Sequence, residues 1–249
     1  MFFKAKCIGI DFGSKNIKAA LIEKTGNKWY IHKLAKIKNP LNTTFVKNEK
    51  QIITLSRSFQ ELIQPLKCKK IVIGVPSKYD TFRNLQFPKL PWKELREAVY
   101  WESREFSSVL NYEYICDFQV VMEHKEKLHV LLAAVDKELI TNYLQIAKIS
   151  DHYIQAIDVY PLAKARILQT SRNFGTMALL DIGSSRCEII IFEEGNLIIN
   201  KSFDFEGGPI KKLIKEHGSV SLQGHSEEHF IGILTEKLQY LINDISRVF

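Results

Sequence analysis

The stretch that decides the fold is "CIGIDFGSKNIKAALIE", residues 7–23. Apolar residues lead to Asp11, a Gly-Ser turn follows, and a second apolar run completes the stretch. Apolar and β-branched runs on both sides of a turn predict two strands, over 7–11 and 17–23. A buried strand that ends in an acidic turn indicates that this turn has a function.

The same pattern returns in the second half of the chain. The segment "ALLDIGSSRCEIII" (178–191) aligns with "IGIDFGSKNIKAAL" (8–21), so that Asp181 corresponds to Asp11. A further turn at 194–196 and an alternating strand follow the second copy. An internal repeat of this kind predicts a duplicated unit, in which each half contributes one hairpin.

Both turns carry groups that suit phosphate. Exposed backbone N–H groups and serine hydroxyls donate to phosphate oxygens, and glycine lets the backbone approach a ligand closely. The aspartates would repel phosphate unless a Mg²⁺ ion and its waters lie between them. Asp-x-Gly-Ser also occurs in plain turns, and the two copies together favour binding. The predicted ligand-binding residues are Asp11, Gly13, Ser14, Lys18, Asp181, Gly183, Ser184 and Ser185, with Asp11 and Asp181 on Mg²⁺ through water.

The remainder of the first third of the chain completes a sheet with a helix. The segment 28–38 alternates like a third antiparallel strand, and Gly26-Asn27 supplies the preceding hairpin turn. Helical spacing over 49–64 and a buried strand at 69–77 follow. This β-β-β-α-β order predicts an α/β fold with a mixed sheet covered by helices.

The middle of the chain reads as an insert with strands and helices of its own. A helix is predicted from Trp92 to Phe106, and two strands follow with a polar turn at 124–127. Another helix over 137–150 comes next. We therefore expect a compact α/β insert over 86–150.

Composition narrows the class of protein. The 249 residues are 45% hydrophobic and carry a net charge of +7, which is ordinary for globular domains. No apolar run approaches the roughly 20 residues of a membrane helix, and the first residues do not resemble a signal peptide. The cytoplasm is the expected location. Four scattered cysteines are interpreted as small buried thiols.

The positive charge is concentrated in the first third of the chain. Residues 1–80 contain 16 Lys and Arg against 5 Asp and Glu. No nucleic-acid motif accompanies them, so we expect no nucleic-acid partner. A solvated face and a location near anionic lipid both fit this asymmetry.

At this point the sequence resembles the actin-like ATPase superfamily, and within it the PilM family of type IV pilus assembly proteins, which are related to the division protein FtsA. The resemblance rests on both turns and on two longer segments. These are "VPSKYDTFRNLQFPKLPWKELREAVYWESREF" (75–106) and "AAVDKELITNYLQIAKISDHYIQAIDVYPLAKARIL" (133–168). Together with the turns they cover nearly the whole chain.

The resemblance implies an actin-like, ribonuclease H-like fold with two lobes. Residues 1–85 and 151–175 would form subdomain 1A, and 86–150 would be the partner-binding insert usually called 1C. Residues 176–249 would form an incomplete subdomain 2A, with 2B reduced. The turns from the two lobes would converge on one cleft that holds ATP and Mg²⁺.

The resemblance also implies partners. PilM proteins bind the cytoplasmic N-terminus of PilN, an inner-membrane protein, which would place this chain at the inner face of the membrane. Other pilus assembly proteins and self-association are further expected contacts. A groove near 1A and 1C would hold the peptide, with Trp92, Tyr100 and Trp101 as aromatic candidates. The same three residues are explained equally well as buried core.

The end of the sequence departs from the family pattern. A helix near 209–217 follows Gly207-Gly208, and "SEEHFIGILTEKLQYLINDISRVF" (226–249) resembles the family's long helix. The strand and Gly-Gly turn that pack on adenine in the family do not follow it. We therefore expect a truncated second lobe, either because the sequence is a fragment or because its pocket is naturally incomplete.

Catalysis is the least defined part of this interpretation. Asp158, before the connecting helix, would orient water or Mg²⁺, or it caps the helix. Glu188 would face phosphate unfavourably if it points inward. We expect an ATP-binding scaffold that is at most a slow ATPase, or a protein-binding module with a degenerate pocket. A sugar-kinase-like phosphotransferase shares the acidic turns, but the insert argues against it.

Overall fold

The protein is described by a computed structural model that covers residues 4–168, 175–193 and 196–204, together with Gln239. The strands are β1 (Lys4–Phe12), β2 (Asn16–Thr25), β3 (Lys28–Lys38), β4 (Lys70–Val75), β5 (Asp80–Pro88), β6 (Tyr114–His124), β7 (Lys127–Asp136), β8 (Tyr153–Val159), β9 (Thr176–Ile182), β10 (Arg186–Glu193) and β11 (Asn196–Asp204). The α-helices are α1 (Glu49–Ile63), α2 (Trp92–Ser103), α3 (Phe106–Val109), α4 (Lys137–Ile149) and α5 (Tyr160–Leu168), and a 3-10 helix covers Gln64–Leu66.

The first sheet contains the predicted β-β-β-α-β unit, which is confirmed. Its strand order is β3-β2-β1-β4-β8. The first three strands are antiparallel, whereas β4 pairs parallel with both β1 and β8. Parallel neighbours require crossover connections, and α1 and α4 supply helices for them. The sheet is therefore mixed, as the sequence order predicts.

Helices α1 and α4 cover one face of this sheet. Phe12, which ends β1, stacks on Tyr143 of α4 at 4.7 Å and on Phe59 of α1 at 5.5 Å between ring centroids. All three rings are fully buried. Aromatic rings contribute large buried apolar areas, so this stack fixes the end of β1 from which the first acidic turn begins.

The second sheet belongs to the insert. Its order is β5-β7-β6, with both pairs antiparallel. Leu95 and Val99 of α2 pack with Phe106 of α3 against apolar residues of β7. The helix predicted over 92–106 is thus two helices, because i→i+3 hydrogen bonds at Arg104 (3.1 Å) and Glu105 (3.1 Å) tighten and end α2.

Two features of packing bear on the expected boundaries of the insert. Its sheet begins at Asp80, and α4 packs on α1 in the core of the first sheet. Asp136 starts α4 by accepting hydrogen bonds from the backbone N–H groups of Glu138 (2.8 Å) and Leu139 (3.2 Å). The division into subdomains over 1–85, 86–150, 151–175 and 176–249 stays a prediction.

The third sheet has the order β11-β10-β9, with antiparallel pairing throughout. It repeats the register of the first hairpin. Asp181 lies opposite Glu188 as Asp11 lies opposite Lys18, and Ile182 lies opposite Cys187 as Phe12 lies opposite Ile17. The internal repeat of the sequence is therefore a repeat of structure.

Helix α5 follows β8 directly and packs against β8, β4 and β11. Ala165 of this helix is buried in a small core with Ile190 and Phe192 of β10. The helix thus connects the first sheet to the third. None of the helices within the described ranges is long and apolar enough to cross a membrane.

Several predictions concern residues that the structure does not describe. They are the Gly207-Gly208 turn, the helix near 209–217, the reduced 2B region and, apart from Gln239, the helix from Ser226 onward. The expected truncation of the second lobe depends on these residues.

Candidate functional site

The two acidic turns meet. The Ser14 Oγ lies 3.0 Å from the Ser185 Oγ, although 171 residues separate them. Both turns line one cavity of about 830 Å³. The predicted binding residues all contribute to its wall: Asp11, Gly13, Ser14, Lys18, Asp181, Gly183, Ser184 and Ser185. The convergence that the repeat predicts is therefore present, while the binding role of these residues stays a prediction.

The backbones of the two turns impose the same requirement on their glycines. A Cβ on Gly13 would lie 2.7 Å from the Asn16 carbonyl oxygen, and one on Gly183 would lie 2.8 Å from the Arg186 carbonyl oxygen. Contacts this short force the backbone to shift. Each turn therefore needs a residue without a side chain at this position.

The first turn is buttressed by Asn39, which the sequence analysis does not identify. Asn39 is fully buried. Its Nδ2 donates to the Gly13 carbonyl oxygen at 3.0 Å and to that of Thr43 at 2.7 Å, and its backbone N–H donates to the Lys15 carbonyl oxygen at 2.9 Å. One buried amide thus fixes both sides of the turn to the loop after β3.

Asp11 has two partners within the protein. The Lys18 Nζ donates to its Oδ2 at 2.8 Å, and the Tyr160 hydroxyl donates to its Oδ1. Burial, together with the Asp11 charge, raises the pKa of Tyr160 well above its ordinary value, so the phenol remains a proton donor. A Cβ on Gly74 would overlap the Tyr160 ring, so a glycine in β4 makes room for this contact.

The second turn is balanced by a cation from α5. The Lys164 Nζ lies 2.7 Å from the Asp181 Oδ2 and also pairs with Glu188 Oε2. Burial lowers the pKa of Lys164, but the hydrogen bonds to these carboxylates outweigh it, and the pKa is raised overall. The ammonium therefore stays charged beside the two acids.

The Glu188 side chain points inward and is only 9% exposed. Ser77 donates a hydrogen bond to its Oε1. Burial raises the pKa of Glu188, while the Lys164 charge and hydrogen bond oppose this shift. Because Ser77 follows β4 in the first lobe and Glu188 lies in β10, this contact joins the lobes at the wall of the cavity.

A contact between the insert and the third sheet lies near Glu188. The Asn200 Nδ2 donates to the Asp80 Oδ1 at 3.3 Å, while Asp80 Oδ2 and Asn200 Oδ1 are buried with no hydrogen-bond partner. Burial raises the pKa of Asp80 to about 8, the Glu188 charge adds to this shift, and Lys164 opposes it. A buried acceptor without a donor is costly, so Asp80 favours its protonated form.

Asp158 is not among the residues that line the cavity. It lies near the end of β8, where its Oδ1 accepts from the Val159 backbone N–H at 2.9 Å and its Oδ2 pairs with Arg166. The catalytic role predicted for Asp158 stays a prediction. Tyr160 and Lys164, two and six residues later, reach the cavity instead.

Tyr160 and Lys164 were missed by the sequence analysis, although the sequence contains a signal for them. They stand four residues apart at the start of a helix that follows a strand whose penultimate residue, Asp158, is acidic. Side chains at this spacing share one helix face. A polar pair on the face of a connecting helix indicates contact with the neighbouring turns.

The aromatic residues proposed for the peptide groove are surface residues. Trp92, Tyr100 and Trp101 are 61%, 60% and 62% exposed, which excludes the alternative of buried core. The Arg104 guanidinium lies 3.9 Å from the centroid of the Trp101 ring. These side chains do not line the cavity of about 580 Å³ where α3 and β6 meet the start of α4.

The wall of the cavity of about 830 Å³ contains groups that suit the phosphate part of a nucleotide. Ser14, Ser184 and Ser185 supply hydroxyl donors, and Lys15 and Lys18 supply positive charge within one wall. The described residues contain no group of three or more His, Cys, Asp or Glu placed to hold a metal. Mg²⁺ commonly uses one or two carboxylates, phosphates and waters. A metal at Asp11 and Asp181 would compete with Lys18 and Lys164 for these carboxylates.

Comparisons with known proteins identify the fold and the family. The sequence profile of the type IV pilus assembly protein PilM matches residues 9–228. The solved "PilM-PilN type IV pilus biogenesis complex" is similar over 98% of this chain and 75% of that chain, at 18% identity and a TM-score of 0.73.

A second solved structure is the ethanolamine utilization protein EutJ from Carboxydothermus hydrogenoformans. It is similar over 98% of this chain and 72% of that chain, at 10% identity and a TM-score of 0.53. No curated protein matches the chain by sequence. The structural similarities confirm the predicted actin-like α/β fold.

Proposed function

Because the chain belongs to the PilM family of type IV pilus assembly proteins, we propose that it is a cytoplasmic scaffold of a type IV pilus or of a related secretion or DNA-uptake system. In this proposal it binds the cytoplasmic N-terminus of a PilN-type inner-membrane protein. ATP with Mg²⁺ is its conformational ligand, and hydrolysis is slow at most. The observation that carries the nucleotide part is the contact between Ser14 and Ser185.

The arrangement around this contact supports a ligand that bridges the lobes. Ser14 and Ser185 come from hairpins of different sheets, so a phosphate chain bound by both turns would hold the sheets in one relative position. Tyr160 and Lys164 would transmit that position, because α5 carries one to each turn. A bound nucleotide would supply negative charge between the two turns. The protein supplies the hydroxyl and ammonium donors.

For the peptide, we propose the cavity of about 580 Å³ between the insert and α4. Leu110, Tyr112 and Tyr114 give it apolar and aromatic walls, and Lys137 pairs with Glu113 at 2.8 Å on its rim. Apolar pockets beside exposed polar groups suit an extended peptide whose alternate side chains enter the pockets. All of its lining residues lie within 86–150, the range that the resemblance assigns to the partner-binding insert.

Titration calorimetry tests the nucleotide part. We expect ATP-Mg to bind the parent chain and the double change Ser14→Ala and Ser185→Ala to weaken binding at least tenfold, since each lost hydroxyl removes a charge-assisted hydrogen bond. Ser107→Ala, at an exposed position of α3, is the matched control and leaves affinity unchanged. Equal affinity of the parent and the double variant would remove the cavity from the proposal.

Peptide binding is tested separately with a fluorescent synthetic peptide of the PilN-type N-terminus. We expect Tyr112→Ala to weaken binding at least tenfold, because alanine removes an aromatic wall of the proposed groove. Trp101→Ala is the matched control, since Trp101 is exposed on α2 away from that cavity. Loss of binding in the Trp101 variant alone would move the groove to the outer face of α2.

A second candidate function is a protein-binding module that works without nucleotide. The observation that favours it is the pairing of Asp11 with Lys18 and of Asp181 with Lys164, which neutralises the turns without a metal. This alternative predicts no heat on titration with ATP-Mg, together with undiminished peptide binding.

A further inference from the structure

The β2–β3 hairpin carries an uncovered apolar strip on one face. Trp29, Ile31 and Leu34 are 62%, 68% and 70% exposed. Strand β3 lies at the edge of its sheet, so it has one neighbouring strand, β2. Contiguous exposed apolar side chains on a soluble domain mark a surface that contacts something else.

The register explains how these three side chains share a face. Trp29 lies opposite Lys24, Ile31 opposite Ile22 and Leu34 opposite Ala20, and these three β2 positions alternate along their strand. Opposed residues project from the same side of a sheet. The pairing shifts between Leu21 and Ile22, which leaves His32 without an opposite residue. This bulge brings Leu34 onto the same face as Ile31.

Two lysines share the face of this strip. Lys24 lies opposite Trp29, and Lys36 lies opposite Lys18, two positions before Ala20 on β2. Both are exposed, and the Lys24 Nζ lies 5.3 Å from the centroid of the Trp29 ring. Lys28 and Lys33 are also exposed, but they lie opposite Thr25 and Leu21 and project from the other face of the hairpin. Between Asp11 and Glu49 the sequence contains a single acidic residue, Glu23. The Glu23 Oε2 lies 3.1 Å from the His32 Nε2, and the Glu23 Oε1 accepts a hydrogen bond from the Thr25 hydroxyl at 3.2 Å. The hairpin therefore has an apolar face with a strongly positive border.

We infer that this hairpin binds the surface of an anionic phospholipid bilayer, with Trp29, Ile31 and Leu34 at the boundary of the acyl chains and the lysines on the headgroups. Tryptophan is favoured at that boundary, and lysines beside an anionic leaflet add binding free energy individually. A bilayer complements the hairpin in both respects. Its apolar boundary covers the strip, and its headgroup phosphates contact the lysines beside the strip.

Charge and geometry favour a bilayer over an added strand. A peptide or a second copy that pairs with the β3 edge uses its backbone N–H and C=O groups. The side chains of the strip stand perpendicular to that edge, so strand addition leaves them uncovered. Lysines along an exposed edge also oppose pairing with another strand, above all with a second copy of the same basic edge.

The position of the hairpin fits attachment to a surface. Its tip lies at the end of β2 opposite the acidic turn, roughly 30 Å away at about 3.3 Å per residue. A protein held by this tip keeps its cavity away from the bilayer. This inference is independent of nucleotide and of peptide, so its test needs neither.

The test is co-sedimentation of the full chain with vesicles of phosphatidylcholine alone and of phosphatidylcholine mixed with phosphatidylglycerol. We expect binding to the anionic vesicles only, weakened by high salt. The double change Lys24→Gln and Lys36→Gln is expected to weaken partitioning about 25-fold, at about fivefold per lysine. The triple change Trp29→Ser, Ile31→Ser and Leu34→Ser is expected to weaken it at least tenfold.

Matched variants make the result specific. Trp92→Ser with Trp101→Ser removes exposed aromatic rings elsewhere, and Lys47→Gln with Lys50→Gln removes the same charge elsewhere. Both controls are expected to bind within twofold of the parent, and cooperative urea unfolding verifies that every variant is folded. The inference is overturned if neutral vesicles bind equally, if no vesicles bind, or if the controls lose as much binding. It is also overturned if the hairpin changes abolish self-association in sedimentation velocity and leave vesicle binding intact.

Discussion

The two acidic turns have the same backbone and opposite ways of balancing their charge. In the first, Asp11 is paired with Lys18, the residue directly across the hairpin. In the second, the residue directly across from Asp181 is another acid, Glu188. The balancing cation there is Lys164, which comes from α5. The first turn therefore takes its balancing cation from its own hairpin, whereas the second takes its cation from a helix elsewhere in the chain.

The comparison shows that side chains of α5 bind the aspartates of both turns. Tyr160 donates to Asp11 in the first turn, and Lys164, one helical turn later, holds Asp181 and Glu188 in the second. A shift of α5 therefore changes the surroundings of both aspartates together. Such a helix suits a protein in which ligand binding between two lobes is transmitted to a partner surface.

The largest expected effect comes from removing the cation of the second turn. Lys164→Met leaves Asp181 and Glu188 opposed without their shared partner, and Glu188 is buried. Breaking a buried pair by removing one member costs about 3–5 kcal/mol. We expect a loss near the lower bound, about 3 kcal/mol, in the free energy of unfolding measured with urea.

A double change checks that charge is the cause. Glu188→Gln in the Lys164→Met background removes the like-charge opposition and is expected to recover at least about 1 kcal/mol. If the double variant is no more stable than Lys164→Met alone, the loss comes from packing of the lysine stem and the comparison of the turns fails.

The next effect concerns pH and the contact behind the second turn. Because the folded-state pKa of Asp80 is raised to about 8 from an ordinary value near 3.8, the ionised form destabilises the fold. Its cost is absent below about pH 4, grows as the pH rises and is complete above pH 8. Asp80→Asn removes this cost and supplies an N–H donor near the unpartnered Asn200 Oδ1.

Urea unfolding of the parent chain and of the Asp80→Asn variant between pH 5 and pH 8 measures the cost of the ionised Asp80. We expect the advantage of Asp80→Asn over the parent to grow by at most about 1.4 kcal/mol per pH unit, reaching about 2 kcal/mol or more at pH 8. An advantage that shrinks as pH rises would show that Asp80 is stabilised as an anion in the folded protein.

The glycines test the part that the two turns share. A Cβ at position 13 or 183 meets a carbonyl oxygen at nearly the same distance, 2.7 or 2.8 Å. Gly13→Ala and Gly183→Ala are therefore expected to cost similar amounts, about 1–2 kcal/mol each, in the range of overpacking changes. Thermal or urea unfolding checks this, and costs that differ by more than about 1 kcal/mol would contradict equivalent backbones.

The smallest effect is expected in the first turn. Lys18 pairs with Asp11 at an exposed position, its side chain 60% accessible. Exposed ion pairs contribute about 0–1 kcal/mol, so Lys18→Met should change the free energy of unfolding by about 0.5 kcal/mol. A loss as large as that of Lys164→Met would mean that the two turns are balanced alike.

Sequence predicts the hairpins well because their determinants are local. Alternating apolar residues, the Gly-Ser turn and the repeated aspartate determine strand, turn and register within one short stretch of chain, and the repeat implies that two such turns face each other. Strand β5 was not predicted, since only its second half alternates, with Leu85 and Phe87 between exposed residues, and none of its residues is fully buried. Its pairing with β7, which follows only after α2, α3 and β6, makes it a strand.

The residues that hold the turns also act across long separations in the sequence. Asn39 reaches the first turn from the loop after β3, and Lys164 reaches the second from α5. The spacing of Tyr160 and Lys164 indicates one shared helix face, but which turn each residue contacts depends on how helix and loop pack on the sheets. Conversely, Asp158 has an acidic side chain at a plausible position, yet its partner Arg166 lies in the last turn of α5, outside the cavity lining.

The central claim is that the turns from the two lobes meet at one ligand cavity. It is tested most directly by the rate of disulfide formation between cysteines at positions 14 and 185, in a chain whose four native cysteines are replaced by alanine. A disulfide needs two β-carbons about 3.5–4.5 Å apart, and hydroxyl oxygens at 3.0 Å bring the two side chains near this range. The Ser14→Cys, Ser185→Cys protein should therefore cross-link rapidly, and ATP-Mg should slow the reaction by occupying the space between the turns. The control pair is Ser14→Cys with Ser107→Cys. Cross-linking of the 14–185 pair no faster than this control, with or without nucleotide, would contradict the account.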